Sequence, residues 1–200
     1  RDPDIQDWCK LRHLIEYLRN TIDLPLILGA TSGGVLHWYV DASFAVHQNM
    51  RGHTGGALTL GQGFPITSSS KQKLNTRSST ESELVGVDDM MSLIIWTRNF
   101  LKSQGYVVID NILYQDNKSA ILLERNGKMS SGKRTKHIAV RYFFVTDRIK
   151  AGELSAVWCP TGKMIADFLT KPLQGTMFKK FRDMLMGVVP TVNTTKLPEQ

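Results

Sequence analysis

The chain has 200 residues, 42% hydrophobic and 22% charged, close to the soluble globular average, which excludes a wholly disordered polypeptide. No apolar run approaches the ~18 residues of a membrane span and the opening has no targeting pattern, so neither a bilayer crossing nor a signal peptide is expected. Lys and Arg number 25 against 18 Asp and Glu, a net charge of +7. At about 150 residues per domain the length suits one principal domain with an appendage. The first residue is Arg1 rather than Met, and the chain is expected to be a piece of something longer.

The surplus charge is unevenly placed. Between Lys128 and Lys150 stand Lys128, Lys133, Arg134, Lys136, Arg141, Arg148 and Lys150 against Asp147 alone, so +6 lies in this segment and +1 in the rest. Such concentration points to a polyanionic partner, nucleic acid before anionic membrane. Cys9 and Cys159 are too few for a disulfide scaffold or a zinc site. A reducing compartment is the default, in which the sequons at Asn117 and Asn193 stay unmodified.

In chain order, Asp4 to Asn20 reads as a helix with Trp8, Leu11, Ile15 and Leu18 on one stripe. Pro25 argues against its continuation, and Ala30-Thr-Ser-Gly-Gly34 reads as a joint. Residues 1–34 are therefore expected to be an appendage whose cover lies partly outside this chain. Strands follow at 35–45, 55–62 and 64–70, with short turns that favour an antiparallel meander. A strong helix runs from Ser79 to about Leu101, with Thr80 and Glu83 as its expected capping box. Asn111 to Asp116 reads as a strand, Asn117 to Arg125 as a helix and Lys128 to Lys136 as a basic loop. A helix through Ile138, Tyr142, Val145 and Ile149 stops at Gly152, and a strand with Leu154, Ala156 and Trp158 on one side follows at 153–159. Met164 to Thr170 reads as a short helix, about Thr176 to Met186 as an amphipathic one, and 189–200 as a loose tail. The order predicts an α/β fold, a mixed sheet with helices on its faces, over 35–188.

Four acids stand where this layout can gather them. Asp41 interrupts an apolar strand, Glu83 lies in the first turn of the long helix, Asp116 ends the fourth strand, and Asp167 is expected mid-helix. A charge inside a strand is costly unless paired or bound to a cation. Carboxylates without a basic partner of their own suit Mg²⁺ or Mn²⁺ rather than zinc.

The motifs Tyr39-Val-Asp41-Ala-Ser, Ser78-Ser-Thr-Glu-Ser-Glu83-Leu, Tyr114-Gln-Asp116-Asn-Lys-Ser-Ala120, Arg134-Thr-Lys-His137-Ile and Ala166-Asp167-Phe-Leu-Thr-Lys-Pro172-Leu occur in this order. Together they resemble the ribonuclease H domain of copia-type LTR retrotransposon Pol polyproteins. The resemblance implies a ribonuclease H-like fold with a five-stranded mixed sheet whose first three strands are antiparallel. It also implies cleavage of the RNA strand of RNA–DNA hybrids during reverse transcription, with two Mg²⁺ (or Mn²⁺) ions held by Asp41, Glu83, Asp116 and Asp167. The reverse transcriptase portion of the same polyprotein is the implied neighbour, with residues 1–34 as the joining segment. An intracellular setting follows, in a cytoplasmic virus-like particle or the nucleus, and no membrane.

Glu81 and Glu83 compete for one assignment. Two residues along a helix is ~200°, and the column through Glu83 continues to Val87, Met90 and Ile94 while that through Glu81 runs to the wetter Asp88 and Ser92. Glu83 is therefore the expected ligand and Glu81 a helix-start acid. Nucleic-acid contacts are expected from Lys71, Lys73, Arg77, Asn117, Lys133, Arg134, Lys136, His137 and Arg141, with hybrid specificity from 2′-hydroxyls. Gly86-Val-Asp88-Asp89-Met90 imitates a polymerase motif but sits in a helical stretch, and reads as two solvated helix acids. Many cellular ribonucleases H carry a histidine before the final aspartate, whereas this loop is Pro160-Thr-Gly-Lys163. Trp96 and Trp158 lie in apolar patterns and are expected in the core rather than as stacking platforms. The rival readings are a catalytically inactive hybrid-binding or spacer module, a DNA-directed nuclease of the same fold, and an anionic-membrane binder. All four acids are present, against the first; the motif order argues against the second; the third lacks a free basic amphipathic helix.

Overall fold

A computed structural model describes residues 2–30, 34–126 and 136–189, apart from the side chains of 136–142. The strands are β1 (Gly29–Ala30), β2 (Val35–Ser43), β3 (His53–Thr59), β4 (Gly61–Gln62), β5 (Ile66–Lys71), β6 (Asp110–Gln115) and β7 (Ser155–Trp158). The helices are α1 (Ile5–Asn20), α2 (Ser79–Ser103), α3 (Lys118–Asn126), α4 (Lys136–Lys150), α5 (Asp167–Thr170) and α6 (Gly175–Leu185), with a 3-10 turn at Thr161–Lys163. Residues 128–135 of the expected basic loop and 190–200 of the expected tail lie outside the described residues, as does most of the joint at 30–34, while Lys136 opens α4 rather than ending the loop.

The main sheet has the order β5-β3-β2-β6-β7. β2, β3 and β5 pair antiparallel, while β6 runs parallel to β2 and β7 parallel to β6. This is the predicted mixed sheet, with one revision. The strand expected over 55–62 begins at His53 and breaks after Thr59, because Gly61 at φ +139° turns the chain away. Gly61 and Gln62 then pair with Ala30 and Gly29 as a separate ribbon.

Alternation along β2 feeds two cores. Leu36, Trp38 and Val40 pack with Val87, Met91 and Ile94 of α2 and Val145 of α4. Tyr39 and Ala57, on the other face, pack with Phe64, Ile165, Ala166 and Phe181. Among the described helices none is long and apolar enough to cross a membrane.

Both tryptophans expected in the core are exposed. Trp96 is 57% exposed and stacks on Phe100 at 5.0 Å, because it lies two residues from buried Ile94 and so on the far side of α2. Trp158 shares the face of buried Ala156, but α3 begins only at Lys118 and leaves the strand end uncovered, so Trp158 is 46% exposed. Asp88 and Asp89 lie inside α2, half-buried and exposed, as the helical reading of that motif requires.

α1 buries no residue. Asp4 caps it by accepting from the N–H groups of Gln6 and Asp7. Its ties to the body are few: Tyr17 meets Phe178 edge-on at 5.9 Å, and just beyond the helix Ile27 N–H donates to Met186 O at 2.8 Å.

Candidate active site

Strand register sets the first two acids side by side. Tyr39 pairs with Tyr114 across the parallel β2–β6 ladder and their rings stack at 4.8 Å. Asp41 follows two residues later on β2 and Asp116 two residues after Tyr114, just past the end of β6, so both leave the sheet on the same side. The third acid arrives from above. Asp41 is opposite Gly55, where a Cβ would lie 2.7 Å from Thr170 Cγ2 and 2.9 Å from Ala166 O. Only glycine lets α5 settle that close, and α5 starts with Asp167. Of the helix expected over Met164 to Thr170 only Asp167–Thr170 is helical, so Asp167 stands at its first position rather than in its middle.

Glu83 reaches the site because α2 starts earlier than the expected cap. Ser78 is the N-cap and accepts from Glu81 N–H at 3.2 Å, while the Glu81 carboxylate accepts from Arg77 N–H at 2.7 Å. The box expected from Thr80 and Glu83 is not formed, and Glu83 is left free of its own helix end. Instead it accepts from Ala42 N–H on β2 at 3.1 Å. Buried Gln72 fixes the start of α2 by donating to Ser82 O at 2.9 Å and Thr54 Oγ1 at 3.1 Å. Glu81 is also buried, not on a wet side as its column suggested, since its carboxylate turns back to the helix end.

Oxygen atoms of Asp41, Asp116 and Asp167 all lie within 4.8 Å of one another. Asp41 and Asp167 are buried and Asp116 is half-buried. Three groups hold them: the Thr170 hydroxyl donates to Asp41, the Thr161 hydroxyl donates to Asp116 at 3.0 Å, and the Lys171 ammonium lies 2.7 Å from Asp167 and 3.8 Å from Asp41. The expectation of carboxylates without a basic partner is corrected by Lys171, which caps α5 and stands four residues, about one helical turn, from Asp167.

Burial, reinforced by the charges of Asp41 and Asp116, pushes the Glu83 carboxyl up to about 9. Burial likewise raises Asp41, with the Thr170 hydrogen bond and Lys171 pulling the other way. For Lys171, burial works to lower the ammonium, but the bond to Asp167 and the surrounding carboxylates outweigh it and the net direction is up. An environment that resists this much negative charge favours a cation among these oxygens. The donor set is all carboxylate and hydroxyl oxygen, which fits Mg²⁺ or Mn²⁺.

The other expected contacts divide. Lys71, Lys73 and Arg77 are exposed. Lys71 stands in register with His53 and Ser43, two residues beyond Asp41, so it shares the carboxylate end of the sheet. Asn117 caps α3, accepting from Ser119 N–H at 3.0 Å and Ala120 N–H at 3.1 Å. Lys133 and Arg134 lie outside the described residues, and so do the side chains of Lys136, His137 and Arg141. Sequence reasoning missed Thr161, Thr170, Lys171 and Gln72. Thr170 and Lys171 belong to the quoted Asp167 motif and could have been found there; nothing local marks Thr161 or Gln72.

No protein-family model matches the chain. It is 34% identical over 181 residues to the retrovirus-related Pol polyprotein from transposon RE2 of Arabidopsis thaliana, covering 90% of this chain and 12% of that protein. Against the corresponding polyprotein from transposon TNT 1-94 of Nicotiana tabacum it is 29% identical over 185 residues, covering 92% of this chain and 14% of that protein. The chain therefore spans about an eighth of the length of these relatives. In structure it is similar to LC11 ribonuclease H1, isolated from compost by a metagenomic approach, with a TM-score of 0.51 at 10% identity over 68% of this chain and 93% of that one. By sequence the chain is homologous to a segment of the retrovirus-related Pol polyproteins of copia-type transposons, and by structure it has the ribonuclease H-like fold.

Proposed function

We propose that this domain hydrolyses the RNA strand of RNA–DNA hybrids during reverse transcription. The observation that carries the reading is the convergence of Asp41, Asp116 and Asp167 within 4.8 Å, with Glu83 anchored beside them. In this reading all four acids are the metal-binding, catalytic residues. Asp41, Glu83, Asp116 and Asp167 would hold two Mg²⁺ or Mn²⁺ ions, whose chemistry there would be to acidify the attacking water and to offset charge on the leaving 3′ oxygen. The chain's own groups do the rest. Thr170 and Thr161 fix the orientation of Asp41 and Asp116, and Ala42 N–H holds Glu83 toward the site. The Lys171 ammonium, 2.7 Å from Asp167 and 3.8 Å from Asp41, offsets part of the charge of these two acids. Lys71, Lys73 and Arg77, with the basic segment 128–141, take the phosphates of the hybrid and set its salt dependence. Residues 1–34 join the domain to the reverse transcriptase portion, and the work takes place inside the cell, in a virus-like particle or the nucleus.

The test is cleavage of an end-labelled RNA–DNA hybrid with Mg²⁺, beside the same reaction in EDTA and on duplex DNA. Metal-dependent cutting of the RNA strand alone is the expected outcome. Tight, salt-sensitive binding without cutting would replace the enzyme by a hybrid-binding module of the same fold, and cutting of duplex DNA would make it a nuclease of different specificity.

A further inference from the structure

Trp158 is the feature beside the site that the packing does not account for. It ends the edge strand β7, one register row from Asp116, since Gln115 pairs with Trp158. Its indole Nε1–H donates to the main-chain oxygen of Asp116 at 3.2 Å, which fixes the ring relative to a proposed metal ligand. The Lys118 ammonium, in the first turn of α3, stands 4.6 Å from the ring centroid. Yet the ring is 46% exposed, and Lys118, Val157 and Pro160 around it are exposed as well. A rigidly held aromatic surface with a cation at its face suits a nucleic-acid strand, because hydrocarbon packs on sugar or base while the ammonium pairs with phosphate.

We propose that Trp158 and Lys118 form a contact platform for the hybrid strand that passes Asp116: the indole packs against a nucleotide next to the scissile phosphate and Lys118 pairs with its backbone. This rests on the hybrid-cleavage reading and adds the residues that set the strand's position at one side of the site. Orientation is the part that the hydrogen bond to Asp116 supplies, since a ring free to rotate would hold the strand in no fixed relation to the carboxylates. These are positioning contacts to substrate, separate from the acids themselves.

The experiment uses the protein with Trp8→Phe and Trp96→Phe, which leaves Trp158 as the accessible tryptophan because Trp38 is fully buried. Hybrid cleavage is first confirmed with Mg²⁺; hybrid is then bound with Ca²⁺ in its place, and acrylamide quenching is read with and without it. Bound hybrid is expected to shield Trp158 from acrylamide. Trp158→Ala is expected to weaken hybrid binding about tenfold, with Trp158→Phe in between, and Lys118→Ala to lower the salt slope by about one. A purely structural Trp158 would show a lowered melting temperature in Trp158→Ala with no shielding, which overturns the platform. So would quenching that is unchanged in a protein that still cleaves and binds hybrid, and in that case the hybrid-cleavage reading survives. A protein that neither cleaves nor binds hybrid overturns both.

Discussion

The carboxylate end of the sheet and helix α1 break the usual partition of polar and apolar groups in opposite directions. At the first, Asp41, Glu83 and Asp167 are buried acids. On the second, Trp8, Leu11, Ile15 and Leu18 are between 47% and 58% exposed. They also differ in how firmly the fold commits to them. The acids are fixed by strand register, by Gly55 under α5 and by hydrogen bonds from Ala42, Thr161 and Thr170. The apolar stripe is fixed by almost nothing, since α1 buries no residue. A departure from the partition rule built into the core costs stability and is expected where the proposed chemistry needs it, whereas one on a peripheral element is expected to cost the fold little. Substitutions should therefore separate activity from stability in opposite ways at the two places.

The largest effect belongs to the acids. Asp41→Asn or Asp116→Asn is expected to reduce Mg²⁺-dependent hybrid cleavage by about 10³-fold or more, the loss of several kcal/mol of charge stabilisation. The metal-free melting temperature should not fall, because each change removes a negative charge from a crowded site. Full activity in either variant would remove that residue from the set. Glu83→Gln should follow, with cleavage down about 10²-fold and a raised melting temperature, while Glu81→Gln stays near wild type in both because its amide oxygen still accepts from Arg77 N–H. The reverse order would mean that Glu81 is the ligand.

Next in size is a pH effect on stability that metal ions do not mediate. Glu124 is fully buried on α3, and burial pushes its carboxyl up to about 8, only partly offset by Arg125. With its amide nitrogen turned toward α3, Gln115 donates to Glu124 at 2.8 Å. A carboxyl near 4.3 in the unfolded chain and about 8 in the folded one binds its proton more tightly when folded. Its contribution is therefore fully present below about pH 4.3 and is lost as pH rises through about 8. The urea midpoint of the metal-free protein should be lower at pH 9 than at pH 6. Glu124→Gln should shrink that difference; an unchanged difference would mean that Glu124 is ionised in the folded protein.

Most of the fold was legible because hydrophobic period and turn chemistry agree along the chain. α2 repeats at helical spacing, and Gly152 stops α4 with φ +68°. The three acids that converge, Asp41, Asp116 and Asp167, stand in the motifs quoted for them, and helical phase turns Glu83 toward β2, whereas the same phase reading failed for buried Glu81. What escaped was decided by tertiary fit. Whether Trp158 is covered depends on where α3 begins, which the apolar pattern of β7 does not contain. The cap of α2 moved to Ser78 because the Glu81 carboxylate turns back to Arg77 N–H, leaving Glu83 to the Ala42 amide. Lys171 is four residues from Asp167 in sequence, but its place against Asp41 depends on the close packing allowed at Gly55.

The smallest effect is the one that tests the other half of the comparison. Trp8→Lys with Leu11→Lys should change unfolding free energy by no more than about 0.5 kcal/mol, since neither side chain is buried. The contrast is Phe181→Ala on α6, where a fully buried ring is lost and about 3–5 kcal/mol should go with it. Urea unfolding followed by circular dichroism reads both. A loss of several kcal/mol from the α1 pair would show that the stripe is buried in solution, by self-association or by folding back on the body, and concentration dependence of the midpoint would tell those apart. With no such loss, the stripe is surface that contributes nothing to the stability of the domain and is free to pair with another one.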